Sequence, residues 1–199
     1  MSASSASTAS APQLVVLAGP NGAGKSTFYD VFLAGSPLPF LNADAFAKAT
    51  GLGAFEAARA LDAARAGRIA DGQGFITETV FSDPFGAKLD MLRTAVDAGF
   101  DVTLLYIGLA SAELSARRIE QRVAAGGHDV PRERVAPRYE LENLAKAIEI
   151  VPSVKLYDNS SADEPYRLIA TIERGAFQKR CRGRLPRWAR ALAPKRARK

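Results

Sequence analysis

The stretch Gly19-Pro20-Asn21-Gly22-Ala23-Gly24-Lys25-Ser26 decides the fold, because it matches the phosphate-loop pattern G-x-x-x-x-G-K-[ST]. An apolar run, 14–18, precedes the loop, and a helical pattern follows it over 25–34. In such a context the glycines let backbone N–H groups turn toward a polyphosphate, and the helix N-terminus adds its positive end. We expect Lys25 to reach the β- and γ-phosphates and the Ser26 hydroxyl to bind Mg²⁺. The loop therefore predicts binding of ATP or GTP.

Short apolar runs alternate with helical stretches along the rest of the chain, which is typical of a parallel α/β sheet. The predicted strands are 14–18, 39–42, 74–77, 102–107 and 154–157, with a possible sixth at 167–172. The predicted helices are 25–34, 54–71, 84–98, 112–125 and 134–149. We therefore expect an α/β fold with a phosphate loop, a mostly parallel sheet of five or six strands and helices on both faces.

The composition narrows the possible chemistry. The 199 residues describe one globular domain and include one Cys and one His. These are too few for a structural zinc site or a disulfide framework. Catalysis is therefore expected to use carboxylates, Lys, Arg, hydroxyl groups or a bound metal ion.

The net charge of +6 is distributed unevenly. Residues 174–199 carry 11 Lys or Arg and no acid, which leaves 16 basic against 21 acidic residues before them, a net charge of −5. We predict a phosphate-loop domain over 13–176 and a disordered or loosely helical basic tail over 177–199. The uncharged Ser/Ala-rich segment 1–12 is expected to be a disordered leader rather than a secretion signal, so the expected compartment is the cytoplasm.

Two acids follow predicted strands, at the edge of the sheet where ligands bind. Asp44 follows the second strand, where it either accepts a proton from an acceptor hydroxyl and helps to bind Mg²⁺, or caps the next helix. Glu78 follows the third strand, and a carboxylate there needs a charged partner, a hydrogen bond or a metal ion. We favour the functional interpretation for both acids.

The helix after the fourth strand is rich in arginine. Arg118 and Arg122 are four residues apart, where like charges repel unless an anion lies between them. Gly126-Gly127 follows, so we interpret about 112–138 as a lid that closes arginines onto the transferred phosphoryl group. A solvated charged helix face is the alternative. His128, beside the glycine pair, is expected to orient the loop or the substrate more often than to act as a base.

These pieces together resemble the zeta toxin family of P-loop kinases over about residues 13–175. The resemblance rests on the loop 19–27, Asn42-Ala43-Asp44, Phe75-Ile76-Thr77-Glu78-Thr79, Arg118-Ile119-Glu120-Gln121-Arg122-Val123, Gly126-Gly127-His128, Pro131, Asn143-Leu144 and Tyr157-Asp158-Asn159-Ser160. It implies the sheet order 2-3-1-4-5. It also implies transfer of a γ-phosphate from ATP or GTP to a hydroxyl of a nucleotide-like metabolite, which in zeta toxins is UDP-N-acetylglucosamine. An antitoxin protein would then be a partner.

The resemblance assigns roles to individual residues. It implies Asp44 as catalytic base, Lys25 as phosphate-loop lysine, and Arg118 or Arg122 with Arg134 or Arg138 as lid arginines. The acceptor side would include Asn42, Glu78, Thr79 and His128, and the metal site Ser26 and Asp44. The implied nucleotide-binding residues are Gly19, Pro20, Asn21, Gly22, Ala23, Gly24, Lys25, Ser26 and Thr27. Two departures, Val80 and the segment 139–142, lie where an acceptor would be recognised.

Three functions stay open at this point. The leading hypothesis is a small-molecule kinase. The second is a polynucleotide 5′-hydroxyl or nucleoside kinase that uses the basic tail to bind nucleic acid. The third, from another class, is a catalytically silent nucleotide-binding module.

Overall fold

The computed structural model describes residues 10–124 and 137–193. Strands and helices alternate through most of this range. The strands are β1 (Gln13–Ala18), β2 (Phe40–Leu41), β3 (Phe75–Thr79), β4 (Asp101–Gly108), β5 (Ser153–Asp158), β6 (Arg167–Glu173) and β7 (Ala176–Lys179). The helices are α1 (Lys25–Phe32), α2 (Ala43–Thr50), α3 (Ala54–Ala70), α4 (Ala87–Asp97), α5 (Ala112–Ala124), α6 (Pro137–Ile150) and α7 (Arg187–Arg190).

All described strands join one sheet in the order β2-β3-β1-β4-β5-β6-β7. The first five pair in parallel, which confirms the predicted fold class and the order 2-3-1-4-5. Strands β6 and β7 extend the sheet in antiparallel fashion, so it has seven strands rather than five or six. The carboxyl ends of β1, β2 and β3 therefore lie side by side, as a ligand site at this edge requires.

The apolar strands bury side chains on both faces of the sheet, because successive residues of a strand point to opposite sides. Val16 of β1 belongs to the core cluster that α4 and α6 cover. The next residue, Leu17, packs on the other face with Phe28 of α1. The expected helical layers on both faces are therefore present.

Two short elements were not predicted. Helix α2 has eight residues, none of which is buried. Strand β7 has four residues, of which only Phe177 packs against the core. Helix α2 contacts α3, and β7 pairs with β6, so each lies against the element beside it in the chain.

The basic tail is partly folded onto the domain. Trp188 of α7 is 8% exposed, and its ring lies 5.4 Å from that of Tyr106. A Cβ atom at Gly108 would lie 2.4 Å from the Trp188 ring, so glycine is required there. The described part of the tail contains β7 and the short helix α7 and packs on the domain through Trp188, while the domain bounds 13–176 and the state of the tail as a whole stay predictions. Within the described ranges, no helix is long and apolar enough to cross a membrane.

Candidate functional site

The phosphate loop connects β1 to α1 and packs closely on β4. Gly19 has φ +143°, and a Cβ atom there would lie 2.2 Å from the Ile107 carbonyl oxygen, so only glycine fits. Lys25, at the start of α1, is 5% exposed. Its ammonium group donates hydrogen bonds to the carbonyl oxygens of Gly19 at 3.0 Å and Pro20 at 3.1 Å. The loop thus holds its lysine folded back against its own backbone.

The Glu78 carboxylate joins three elements of the site. Its Oε2 atom accepts hydrogen bonds from Ser26 Oγ at 3.2 Å and from Asn42 Nδ2 at 3.0 Å. Its Oε1 atom lies 3.6 Å from Lys25 Nζ. Because β2 and β1 flank β3, the sheet order itself brings these side chains together.

Burial and the neighbouring carboxylates have opposing effects on the pKa of Lys25. Burial lowers the pKa of its ammonium group, while the carboxylates of Glu78 and Glu140 oppose that shift. The positive charge of Arg122 lowers the pKa further. A polyphosphate at this loop would supply the additional negative charge that favours the protonated lysine.

Helix α2 is capped by Asn42, and not by Asp44. The Asn42 Oδ1 atom accepts a hydrogen bond from the Ala45 N–H at 2.9 Å. Asp44 lies in the first turn of α2 with an exposed side chain, and it faces the cavity described next. The capping alternative for Asp44 is therefore wrong, and its carboxylate is accessible to a ligand.

A cavity of about 540 Å³ lies between the phosphate loop, α2, α3 and the end of β3. It gathers most of the predicted site residues in one space. The residues that line it are Asn21, Gly22, Gly24, Lys25, Ser26, Thr27, Asn42, Ala43, Asp44, Ala58, Leu61, Asp62, Arg65, Glu78, Thr79, Val80, Lys88, Arg118 and Arg122. Gly19, Pro20 and Ala23 belong to the loop but do not face this space.

Helix α5 brings both of its predicted arginines to the cavity. Arg118 and Arg122 line it, and Gly22 lies so close to α5 that a Cβ atom there would be 3.3 Å from the Arg118 Cβ. The arginines thus share one cavity with Glu78 and Lys25. His128 and Arg134 lie outside the described residues, as does the side chain of Arg138.

The comparison with protein families identifies this domain. The model of the family described as "AAA domain" matches residues 14–138, which include the phosphate loop, Asp44, Glu78 and α5. The chain belongs to this AAA domain family.

Solved structures share the fold of this AAA domain. The AvrRxo1-ORF1:AvrRxo1-ORF2 complex with sulphate ions is 17% identical with a TM-score of 0.57, over 84% of this chain and 60% of that one. The PezAT toxin-antitoxin system of Streptococcus pneumoniae is 15% identical with a TM-score of 0.54, over 82% and 72% of the two chains. A proposed kinase from Chloroflexus aurantiacus is 20% identical with a TM-score of 0.54, over 77% and 91%. The fold is therefore that of kinase-like P-loop proteins.

A curated relative is an uncharacterized protein of Haemophilus influenzae. It is 36% identical over 66 residues, which are 33% of this AAA domain chain and 46% of the relative. The chain thus matches less than half of that relative's length, and about three fifths of the AvrRxo1 chain.

A buried arginine on α3 was missed in the sequence. Arg65 is 5% exposed and donates from Nε to Thr77 Oγ1 at 2.8 Å and from a terminal nitrogen to the Glu78 carbonyl oxygen at 2.9 Å. It also donates to Asp62 at 2.7 Å, and Lys88 donates to the same carboxylate at 2.8 Å. Burial alone would raise the pKa of Asp62, but these two cations lower it. The sequence does contain a sign of this burial. Arg65 lies four residues from both Leu61 and Ile69, in the middle of the buried stripe of α3.

Glu140 of α6 is a second missed group. Its Oε1 atom is buried without a hydrogen-bond partner among the described residues. Burial raises the pKa of Glu140 to about 7, although the nearby Lys25 charge opposes the shift. No motif marked it, because it lies in the segment that departs from the zeta toxin pattern.

The side chains of this AAA domain fit a magnesium ion at one place. The Ser26 hydroxyl and the Glu78 carboxylate are hard oxygen donors 3.2 Å apart, and Asp44 lines the same cavity. The described residues contain no group of three or more acids, His or Cys that would enclose a metal ion without other ligands. This agrees with Mg²⁺ held by one or two protein groups and by the phosphates of a nucleotide.

Proposed function

We propose that this domain is a phosphotransferase that moves the γ-phosphoryl group of ATP or GTP to a hydroxyl group of a small nucleotide-like metabolite. The observation that carries the proposal is the convergence of Lys25, Ser26 and Asn42 on Glu78 inside a cavity that α5 arginines also line. Phosphoryl transfer depends mainly on positioning and charge stabilisation, and these are the groups that supply both.

The nucleotide is proposed to bind on the phosphate loop. Loop amides and Lys25 would hold the β- and γ-phosphates, and Ser26, with Glu78 or Asp44, would hold Mg²⁺. Bound there, the ion supplies positive charge to the phosphate oxygens. A solved AvrRxo1-ORF1:-ORF2 complex contains ATP, and its fold is shared over 84% of this chain, which supports a nucleotide at the corresponding loop.

The transfer step uses the acid on α2. The acceptor oxygen forms a bond to the γ-phosphorus while the bond from that phosphorus to the bridging oxygen breaks, and ADP or GDP leaves. Asp44 is exposed on the cavity wall, where its carboxylate would take the acceptor proton. Arg118 and Arg122 would stabilise the charge of the transferred group.

The acceptor side is proposed to lie between Asn42, Glu78 and Thr79. The resemblance to zeta toxins adds His128 to the acceptor side and Arg134 to the lid arginines. The resemblance to zeta toxins makes UDP-N-acetylglucosamine the first acceptor to test. The similar folds of AvrRxo1-ORF1:AvrRxo1-ORF2 and PezAT, both solved as complexes or systems of two proteins, support an antitoxin as a partner.

A second candidate is transfer to the 5′-hydroxyl of a polynucleotide. One observation favours it, because the part of the tail that the structure describes, 177–193, carries six exposed cations and no acid. These are Lys179, Arg180, Arg182, Arg184, Arg187 and Arg190. Replacing Arg182, Arg184 and Arg187 by Gln while keeping Trp188 tests this charge without unfolding the tail. A loss of transfer confined to oligonucleotides would favour the second candidate.

The deciding experiment measures ADP and GDP release with UDP-sugars, nucleosides, dinucleotides and oligonucleotides as acceptors. Lys25→Ala is expected to lose nucleotide-driven turnover, and Asp44→Ala to bind nucleotide but lose transfer. Lys48→Ala and Asp30→Ala are matched controls, since both are exposed and lie outside the cavity. Near-normal transfer by Asp44→Ala would overturn its role as base. Absence of nucleotide binding by the unaltered protein would overturn the whole proposal.

A further inference from the structure

Three side chains outside the phosphate-loop motif donate hydrogen bonds to carbonyl oxygens of the loop. Ser115 Oγ of α5 donates to the Asn21 oxygen at 2.5 Å. Asn159 Nδ2 donates to the Ala23 oxygen at 2.9 Å, and the Tyr166 hydroxyl donates to the Gly24 oxygen at 2.9 Å. The donors come from two separate parts of the chain, α5 and the connection between β5 and β6.

The β5–β6 connection is shaped to place its two donors. The Tyr166 N–H donates to Asn159 Oδ1 at 3.2 Å, and the Asn159 N–H donates to the Gly108 oxygen at 3.0 Å. Tyr166 has φ +53°, a left-handed conformation that is unfavourable for a tyrosine. Its ring also packs edge-on against Phe28 at 5.3 Å. The backbone of Tyr166 is therefore strained, and this conformation places the Tyr166 hydroxyl within hydrogen-bond distance of the loop.

Holding these carbonyl groups fixes the direction of the neighbouring amides. The C=O and N–H of one trans peptide unit point in opposite directions, and the described residues contain no cis peptide. Bonds to the carbonyls of Asn21, Ala23 and Gly24 therefore turn the N–H groups of Gly22, Gly24 and Lys25 the other way. None of these three N–H groups donates to another described residue, whereas the Ala23 N–H is used within the loop by the Pro20 oxygen at 3.2 Å.

We propose that Ser115, Asn159 and Tyr166 are positioning residues that aim the amides of Gly22, Gly24 and Lys25 at the phosphates of the nucleotide. The inference rests on the proposed function, because it assumes that a polyphosphate binds at the loop. The affinity of the loop for phosphates would then depend partly on side chains that are far from the motif in sequence.

A purely structural role predicts something different. If these bonds only held the fold, their loss would lower the melting temperature and weaken every ligand of the site alike. If these bonds orient the loop amides, their loss weakens the binding of ligands that carry phosphates and leaves the binding of a nucleoside unaffected. Comparing tripolyphosphate with a nucleoside therefore separates the two roles.

The test uses Tyr166→Phe, Asn159→Ala and Ser115→Ala in the full chain, with Tyr157→Phe as the matched control. Tyr157 also packs against Phe28, at 5.0 Å, and its hydroxyl makes no hydrogen bond with a described residue. Dissociation constants for ATP, GTP and tripolyphosphate are measured by calorimetry, and those for adenosine and guanosine by NMR titration. Melting temperatures show whether each variant is folded.

We expect each of the three substitutions to weaken the binding of ATP, GTP and tripolyphosphate by about three- to tenfold, which is the effect of losing one hydrogen bond. Nucleoside affinity and the Tyr157→Phe control are expected to stay unchanged. Unaltered tripolyphosphate affinity in Tyr166→Phe and Ser115→Ala, which keep most of their packing, would overturn the inference. An equal loss of affinity for nucleosides and for tripolyphosphate would also overturn the inference. If the unaltered protein bound neither nucleotide nor tripolyphosphate, the proposed function would fail and this inference with it.

Discussion

The Trp188 indole N–H donates a hydrogen bond to the Asp158 carboxylate at 3.3 Å, which ties the C-terminal segment to the end of β5. The same carboxylate accepts hydrogen bonds from Ser160 at 2.6 Å and Arg167 at 3.3 Å. Asp158 immediately precedes Asn159, whose side chain contacts the phosphate loop. Trp188 thus packs at the carboxyl ends of β4 and β5, beside the residue that contacts the phosphate loop.

Replacing Trp188 by Ala is expected to lower the free energy of unfolding by about 3–5 kcal/mol, because a large buried ring is removed from a site shaped around Gly108. Chemical denaturation monitored by circular dichroism measures this loss. Trp188→Phe keeps an aromatic ring but loses the N–H donor, so it should cost clearly less than Trp188→Ala. Arg187→Gln, at the exposed neighbouring position, is expected to change stability by less than about 0.5 kcal/mol. Equal stability of Trp188→Ala and the unaltered protein would contradict the docked tail.

The fold was largely predictable because its strands are nearly continuous apolar runs. β1 and β4 are buried on both faces, so their sequences stand out from the helical stretches between them. Helix α2 and β7 were missed, since α2 has no buried face and β7 takes its place only by pairing with β6. Such elements depend on tertiary contacts that a local pattern does not contain.

The candidate site was predictable where motifs sit at strand ends. Lys25, Ser26, Asn42 and Glu78 come together because the sheet order places β1, β2 and β3 side by side. Two of the groups that were missed make contacts over long distances in sequence. Trp188 bonds a residue 30 positions away, and Tyr166 bonds one 142 positions away. No spacing rule links such residues before the chain is folded.

Arg65→Met is expected to reduce phosphoryl transfer and to lower the free energy of unfolding by about 2–3 kcal/mol, because it removes charged hydrogen bonds to Thr77 and to the Glu78 carbonyl group. Methionine keeps the length and packing of the aliphatic part. Denaturation and steady-state kinetics of ADP release measure the two effects. Arg59→Met, at an exposed position of the same helix, is the control and should leave both unchanged. Full activity and stability in Arg65→Met would show that Glu78 is positioned without this arginine.

Asn143→Asp tests how α6 holds the loop after β3. The Asn143 amide donates to the carbonyl oxygens of Phe81 at 2.9 Å and Asp83 at 2.8 Å, and the side chain is 6% exposed. Aspartate has nearly the same shape but no donor, and its charge would face two carbonyl oxygens. We expect a loss of about 2–4 kcal/mol in unfolding free energy at neutral pH, measured by urea denaturation. Because protonation restores one donor, the loss should shrink at pH 4. A loss independent of pH would indicate that charge is not its cause.

Glu140→Gln is expected to stabilise the protein at high pH and not at low pH. The buried carboxyl has a folded-state pKa of about 7, above the value of 4.5 for an exposed glutamate. Between these values the folded protein holds a proton that the unfolded chain has released, so stability falls as pH rises from about 4.5 through 7. Glutamine is neutral throughout and removes this dependence.

The advantage of Glu140→Gln over the unaltered protein should therefore grow across that interval and reach about 3 kcal/mol above pH 8, an order-of-magnitude value since one pKa unit corresponds to about 1.4 kcal/mol. Urea denaturation at several pH values measures it. Glu149→Gln, at an exposed position on the same helix, is the control and should show no such growth. If the two variants followed the same pH profile, Glu140 would not be the buried acid that destabilises the folded protein at high pH. A constant advantage at every pH would point instead to better packing of the amide, because only a titrating carboxyl group can make the difference depend on proton concentration.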